Sequence, residues 1–190
     1  MNCQRLVNFN SDKPPRPDGR RRHDQRAFTL IEILIVVVIL GILAALVMPQ
    51  FSNASQLARE NTLKDDLRYL RTQIGVYKAQ HEDNAPGYPN GDTTAAPEAE
   101  WFAKHLTGYS NRQGQYSSSA NPAYPFGPYL TRMPVNPLNG KSGIWIHTGS
   151  MEMPAPDDTI DAGWIYNPAA QQIIANLPGN DSNGVPYADY

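Results

Sequence analysis

The chain has 190 residues, a formal charge of −2, 41% apolar residues and one cysteine, which sets aside a disulfide-stapled scaffold and leaves room for one modest domain. From Phe28 onward nine Lys and Arg stand against fifteen Asp and Glu, so the main body lacks the basic surface that a nucleic-acid partner requires.

Residues 1–27 form a basic leader in which Arg5, Lys13, Arg16, Arg20, Arg21, Arg22 and Arg26 outnumber Asp12, Asp18 and Asp24. Such a flank stays on the cytoplasmic side of a membrane. Its Lys13-Pro14-Pro15-Arg16-Pro17-Asp18-Gly19 stretch has the composition of a disordered segment, and the lone Cys3 lies here too. Residues 28–48 are apolar apart from one carboxylate, Glu32, near the start. As a helix this run rises about 31 Å, close to the hydrocarbon thickness of a bilayer, so it spans once. An ionised side chain in that position costs roughly 2.5–3.5 kcal/mol, and Glu32 therefore needs a partner. A cut between Ala27 and Phe28 would free an α-amino group about one helical turn from Glu32 and supply one. A secretory signal would use a small-residue site such as Ala44-Ala45-Leu46, and a plain signal anchor explains length and orientation. Both leave the embedded acid unexplained.

Pro49 lacks a backbone N–H and crowds the carbonyl four residues earlier, so the spacing predicts a kink near the membrane exit. Over 49–82 the apolar residues Leu63, Leu67, Leu70, Ile74 and Tyr77 step by four and three, which predicts an amphipathic helix from about Phe51 to His81. The other faces carry Arg59, Glu60, Lys64, Asp65, Arg68, Arg71 and Lys78, with Glu60 and Lys64 spaced as a favourable pair. Residues 84–91, Asn-Ala-Pro-Gly-Tyr-Pro-Asn-Gly, stop this helix. Within 83–190, Trp101–Leu106 fits a short helix and Gly108–Gly127 a polar loop. Gly143–His147 and Gly163–Tyr166 are rich in β-branched and aromatic residues and read as strands, while Gln172–Asn176 completes a hairpin across residues 167–170. Laying the amphipathic helix on an antiparallel sheet of these strands buries both apolar faces, giving an α+β fold.

Phe28-Thr29-Leu30-Ile31-Glu32, set between a basic leader and an apolar run, resembles the cleavage and methylation signal of type IV prepilins and type II secretion pseudopilins. Tyr88-Pro89 after the amphipathic helix, and Gly127-Pro128-Tyr129-Leu130 followed by the Met133–Gly140 stretch, resemble the same family. Asn136 and Leu138 replace its more usual acid and aromatic, and Ala27 stands where it has glycine. The resemblance implies a pilin-like roll, removal of residues 1–27 by a prepilin peptidase, N-methylation of Phe28, and a role for Glu32 in docking each subunit onto the amine of a neighbour. It also places Pro49 where many members carry a kinking proline. The implied protein is a non-enzymatic filament subunit for protein secretion across the outer membrane. It is a single-pass protein of the bacterial inner membrane, N terminus in the cytoplasm and domain in the periplasm. Its implied partners are other pilins or pseudopilins, an inner-membrane assembly platform with its ATPase, and secreted cargo. The alternatives are a type IV pilus subunit for adhesion, motility or DNA uptake, which the missing cysteines of the mature chain disfavour, and an uncleaved membrane-anchored binding module.

Little else carries chemistry. His23, His81, His105 and His147 fall in no metal-ligand spacing, and Ser117-Ser118-Ser119 lacks the strand-turn-helix setting of a nucleophile. Asp157, Asp158 and Asp161 flank Thr159-Ile160 and read as a solvated turn. Gly179-Asn180-Asp181-Ser182-Asn183-Gly184 alternates oxygen donors before a glycine, which makes Asp181 and Asn183 candidate calcium ligands. The later ligands of a calcium loop are absent, and a flexible polar tail is the competing reading. In the family, major pseudopilins bind calcium in a C-terminal loop.

Overall fold

A computed structural model describes residues 28–190. The leader 1–27, with Cys3 and Ala27, lies outside the described residues. The chain divides into two units at Ala45 and Leu46. Helix α1, Leu30–Gln80, passes through Pro49 as one element. Among the described residues it is the one helix long and apolar enough to cross a membrane. Among the described residues its first stretch buries nothing: Ile33, Leu34, Val37, Leu40 and Leu43 are all about half exposed or more.

In the second unit the stripe works as its spacing predicts. Leu63, Leu67 and Leu70 are fully buried, and Ile74 and Tyr77 nearly so. They pack with Phe102 and Leu106 of helix α2, Ala99–Thr107, and with Trp164, Tyr166, Ile173 and Ala175 of the sheet. Helix α1 stops where Glu82 and Asp83 take left-handed φ values of 56° and 66°. The Asp83 N–H closes on the Lys78 carbonyl at 3.0 Å, and the Asp83 carboxylate holds the Lys78 ammonium at 2.9 Å. Side chains other than glycine rarely occupy that region, and this pair of contacts holds the turn there.

Among the described residues five strands follow. The stretch expected as a polar loop folds back on itself as a two-stranded ribbon of β1, Tyr109–Ser110, and β2, Tyr116–Ser117. Asn111 makes the turn, its side-chain oxygen accepting the N–H groups of Gln113 and Gln115 at 3.1 and 3.0 Å. The main sheet has the order β3-β4-β5, with β3 at Ile144–Ile146, β4 at Trp164–Asn167 and β5 at Gln172–Ala175. The β4–β5 hairpin is antiparallel as expected, whereas β3 runs parallel to β4, so the sheet is mixed. The cause is the connection: residues 147–163 are long enough to carry the chain back to the same end of the sheet, which a parallel neighbour needs and a tight hairpin cannot do. Strand β4, central and covered on both faces, buries all four of its residues.

The long loops around this sheet are fastened by asparagine amides. Asn136, fully buried, donates to the Gly163 carbonyl at 3.0 Å and accepts the Leu138 N–H at 3.0 Å. Asn139 donates to the Asn176 carbonyl at 2.9 Å. Asn176 donates to the Asp157 and Ala162 carbonyls at 2.9 and 3.1 Å and accepts the Asp157 N–H at 2.8 Å. Asn167 reaches the Ser150 carbonyl at 2.8 Å while its oxygen accepts the N–H groups of Ala169 and Ala170, shaping the β4–β5 turn. Each amide offers donors and an acceptor together, so one side chain satisfies main-chain groups from two segments. Gly163 shows how closely they are drawn: a methyl group added there would lie 2.1 Å from the Lys141 carbonyl oxygen.

Candidate functional site

The helix that carries the apolar run begins at a built cap. Thr29 stands before Leu30, and its hydroxyl accepts the Glu32 N–H at 3.2 Å, while its carbonyl accepts the N–H groups of Glu32 and Ile33 at 3.1 and 3.3 Å. Thr29-Leu30-Ile31-Glu32 is the pattern of a capping box, a threonine followed three residues later by glutamate. Glu32 thus sits in the first turn, where the positive end of the helix dipole favours a carboxylate. The carboxylate and the apolar side chains around it are exposed, as is Phe28. The arrangement can present one acid at the end of an apolar cylinder to another molecule. Ala27 lies outside the described residues, and α1 continues through Pro49.

A second polar cluster joins α1 to the 176–190 segment, and it holds a residue that the sequence reading misplaced. Glu60 does not pair with Lys64 on an outer face. It is 1% exposed and accepts Gln56 Nε2 at 2.9 Å, the Ser182 N–H at 3.1 Å, the Ser182 hydroxyl at 2.8 Å and the Tyr187 hydroxyl at 3.3 Å. Burial works to raise its pKa, but these donors, Gln56 and Ser182 foremost, outweigh it and hold the carboxyl below its ordinary value. The signal was present in the spacing: Glu60 precedes Leu63 by three and so begins the buried stripe.

Asp181 lies beside it, also buried. Its Oδ1 accepts the N–H groups of Asn183 and Val185, each at 2.8 Å. Its Oδ2 accepts the Tyr190 hydroxyl at 2.6 Å and faces the Lys64 ammonium at 3.5 Å. The Tyr190 hydroxyl, with the two N–H groups and Lys64, holds this carboxyl far below the usual carboxylate range against the opposing effect of burial. Of the two candidate calcium ligands, Asp181 is turned inward into this cluster and Asn183 is exposed.

Two of the scattered histidines are brought together. His81, one residue past the end of α1 and four past Tyr77, stacks on Tyr77 with ring centroids 3.8 Å apart, and His105 of α2 lies on the same ring at 5.2 Å. His81 Nδ1 contacts the Tyr77 carbonyl at 2.5 Å and Nε2 the Ser110 hydroxyl at 2.9 Å. His105 Nδ1 accepts the Gly87 N–H at 3.2 Å, and Nε2 has no hydrogen-bond partner among the described residues. Burial pushes His81 down and His105 down to about 4. In the unfolded chain His105 titrates near its ordinary value of about 6.5, so the unfolded state binds more protons between those values. The stability from His105 is complete above about pH 6.5 and is lost as the pH falls toward 4. We expect the urea midpoint of the folded chain to drop between pH 7 and 5, reflecting a loss on the order of 2 kcal/mol of unfolding free energy, and the drop to shrink in His105→Gln. A midpoint flat over that range would refute the assignment.

The remaining candidates are structural. Asp157 accepts the Thr159 N–H and hydroxyl at 2.9 and 2.6 Å, forming the turn that was expected. Ser117 bonds the Ser119 carbonyl at 2.8 Å within its own turn. Among the described residues no three His, Cys, Asp or Glu side chains converge as a metal-holding group.

Comparison with known proteins bears on the first of these clusters. A family described as the prokaryotic N-terminal methylation motif matches residues 22–48. The type II secretion system core protein G of Dickeya chrysanthemi is 30% identical over 167 residues, covering 82% of this chain and 97% of that protein. The protein of the same name from Escherichia coli is 37% identical over 132 residues, 68% of this chain and 77% of that one. Its namesake from Pseudomonas aeruginosa is 47% identical over 58 residues, which cover 30% of this chain and 41% of the relative. No solved structure gives a significant match.

Proposed function

The chain belongs to the family of the type II secretion system core protein G, the pseudopilins, and from that premise we propose that it is a structural subunit that polymerises through α1 into a short helical filament serving protein secretion. It is a single-pass protein of the inner membrane, with the basic leader in the cytoplasm and residues beyond Pro49 in the periplasm. A prepilin peptidase cuts between Ala27 and Phe28 and methylates Phe28. The liberated amine of one copy and Glu32 of the next then neutralise each other at membrane depth. Pro49 bends the helix where it leaves the bilayer. Work for assembly comes from an ATPase on an inner-membrane platform, and the chain supplies lattice contacts to other pilin-like subunits and a surface against secreted cargo. No catalytic step is assigned to it.

The observation that carries this reading is the exposed apolar stretch of α1 with one carboxylate in its capped first turn. A soluble single domain would not leave that surface uncovered. Mass spectrometry of the chain extracted from its own membrane tests it: the expected N terminus is a methylated Phe28. A chain intact from Met1 would remove the amine on which the pairing depends and leave the membrane-anchored binding module as the better description.

A further inference from the structure

The 176–190 segment returns to α1 through two buried carboxylates, and the way their oxygens are occupied decides what can hold the segment closed. Both oxygens of Glu60 are taken by neutral donors, Ser182 on each and Gln56 and Tyr187 on one. Asp181 Oδ1 is taken by two main-chain N–H groups and Oδ2 by the Tyr190 hydroxyl. The Lys64 ammonium completes the set. It lies 3.5 Å from Asp181 Oδ2 and 4.1 Å from the centre of the Tyr190 ring, over the ring face. Carboxylate, ammonium and phenol therefore close a triangle in which each member touches the other two.

A calcium ion needs six to eight oxygen ligands at about 2.3–2.6 Å. To offer Oδ2 to such an ion, Asp181 would have to give up the Tyr190 hydroxyl and the Lys64 ammonium; Oδ1 is already occupied by the two N–H groups that shape the 181–185 turn, and Ser182 would have to release Glu60. The ion would also sit beside a lysine ammonium. The residues present do not fit a divalent cation in this loop. We propose that Lys64 is the resident cation of the segment: its ammonium, capped by the Tyr190 ring, takes the place that a bound metal holds in a calcium-closed loop, so the 176–190 segment is fastened to α1 independently of calcium. Nearby charge supports the assignment. Glu60 and Asp181 are two buried acids on facing elements, and Lys64 is the one basic side chain within salt-bridge range of either among the described residues. Without it the cluster would hold two negative charges with hydrogen bonds alone, which strongly favours recruiting a cation.

The test uses the full chain in detergent micelles. Its thermal midpoint is measured with excess EGTA and with millimolar CaCl2, and calcium binding is titrated directly by calorimetry. Limited proteolysis then follows release of the 176–190 segment. The wild-type midpoint is expected to be the same in both buffers, with no binding heat. Lys64→Met, which keeps the aliphatic stem, is expected to lower the midpoint by about 2 to 4 °C and to speed proteolytic release several-fold, whereas Lys64→Arg stays near wild type in both. A wild-type midpoint that rises with calcium, or a stoichiometric calcium titration, would overturn the proposal. So would a Lys64→Met chain as stable and as protease-resistant as the parent. If Lys64→Met does not fold, the wild-type titration decides by itself.

Discussion

Substituting Leu for Glu32 is expected to abolish incorporation of the chain into filaments while leaving it in the membrane. The two effects separate because the carboxylate is not what starts the helix. Thr29 caps the first turn through its hydroxyl and carbonyl, and the dipole contribution of an exposed first-turn acid is only about 0.3–1 kcal/mol. Removing the charge makes insertion easier, by about 3 kcal/mol on the scales that apply to a membrane helix. What disappears is the one group in residues 28–48 able to attract an amine from another copy. Glu32→Gln keeps the shape and loses the charge, and the same result is expected from it. Carbonate extraction reports insertion, and sedimentation of sheared filaments reports assembly. A Leu variant that sediments with filaments as the parent does would sink the pairing.

The second large effect is expected from Trp164→Ala. Trp164 is fully buried in the central strand, packed among Leu67, Phe102 and the other core residues, and its indole N–H donates to the Pro134 carbonyl at 3.0 Å. Truncation removes an aromatic side chain from a core that cannot collapse around the space, at about 3–5 kcal/mol for such changes, and leaves the Pro134 carbonyl unpaired. For a domain of this size the thermal midpoint should fall by roughly 10 °C or more. Trp164→Phe keeps most of the volume and loses the donor, so its loss should be well under half as large. Near-ultraviolet circular dichroism of the detergent-solubilised chain follows both, and equal losses for Ala and Phe would mean that the hydrogen bond, not packing, dominates.

Periodicity made α1 legible, because a stripe stepping by three and four has one structural meaning, and every one of its apolar members is buried. The hairpin was legible for a similar local reason, two β-rich runs flanking Asn167-Pro168-Ala169-Ala170. The direction of β3 was not, since nothing in Ile144-Trp145-Ile146 records which way residues 147–163 return. Charge alone places Glu60 on an outer face, but position places it inside: the stripe extends from Glu60 to His81 in the same steps, with a buried polar residue at each end. Those two residues could be buried only because partners far along the chain were waiting for them, Ser182 for Glu60 and Ser110 for His81. Asp181 and Lys64 are 117 positions apart, and no local pattern announces such a meeting. The short motif at 28–32 was plain to read, but its capping function needed the backbone to be seen.

The asparagine fastenings around the sheet have a consequence for the water that bathes them. Dissolved ions screen charges, and the exposed pairs such as Arg68 with Asp65 and Arg112 with Glu82 fade as ionic strength rises. A neutral amide bonded to main-chain carbonyls gives those ions little to screen. The contribution of Asn136, Asn139, Asn167 and Asn176 to loop stability is therefore expected to change little between dilute fresh water and brine.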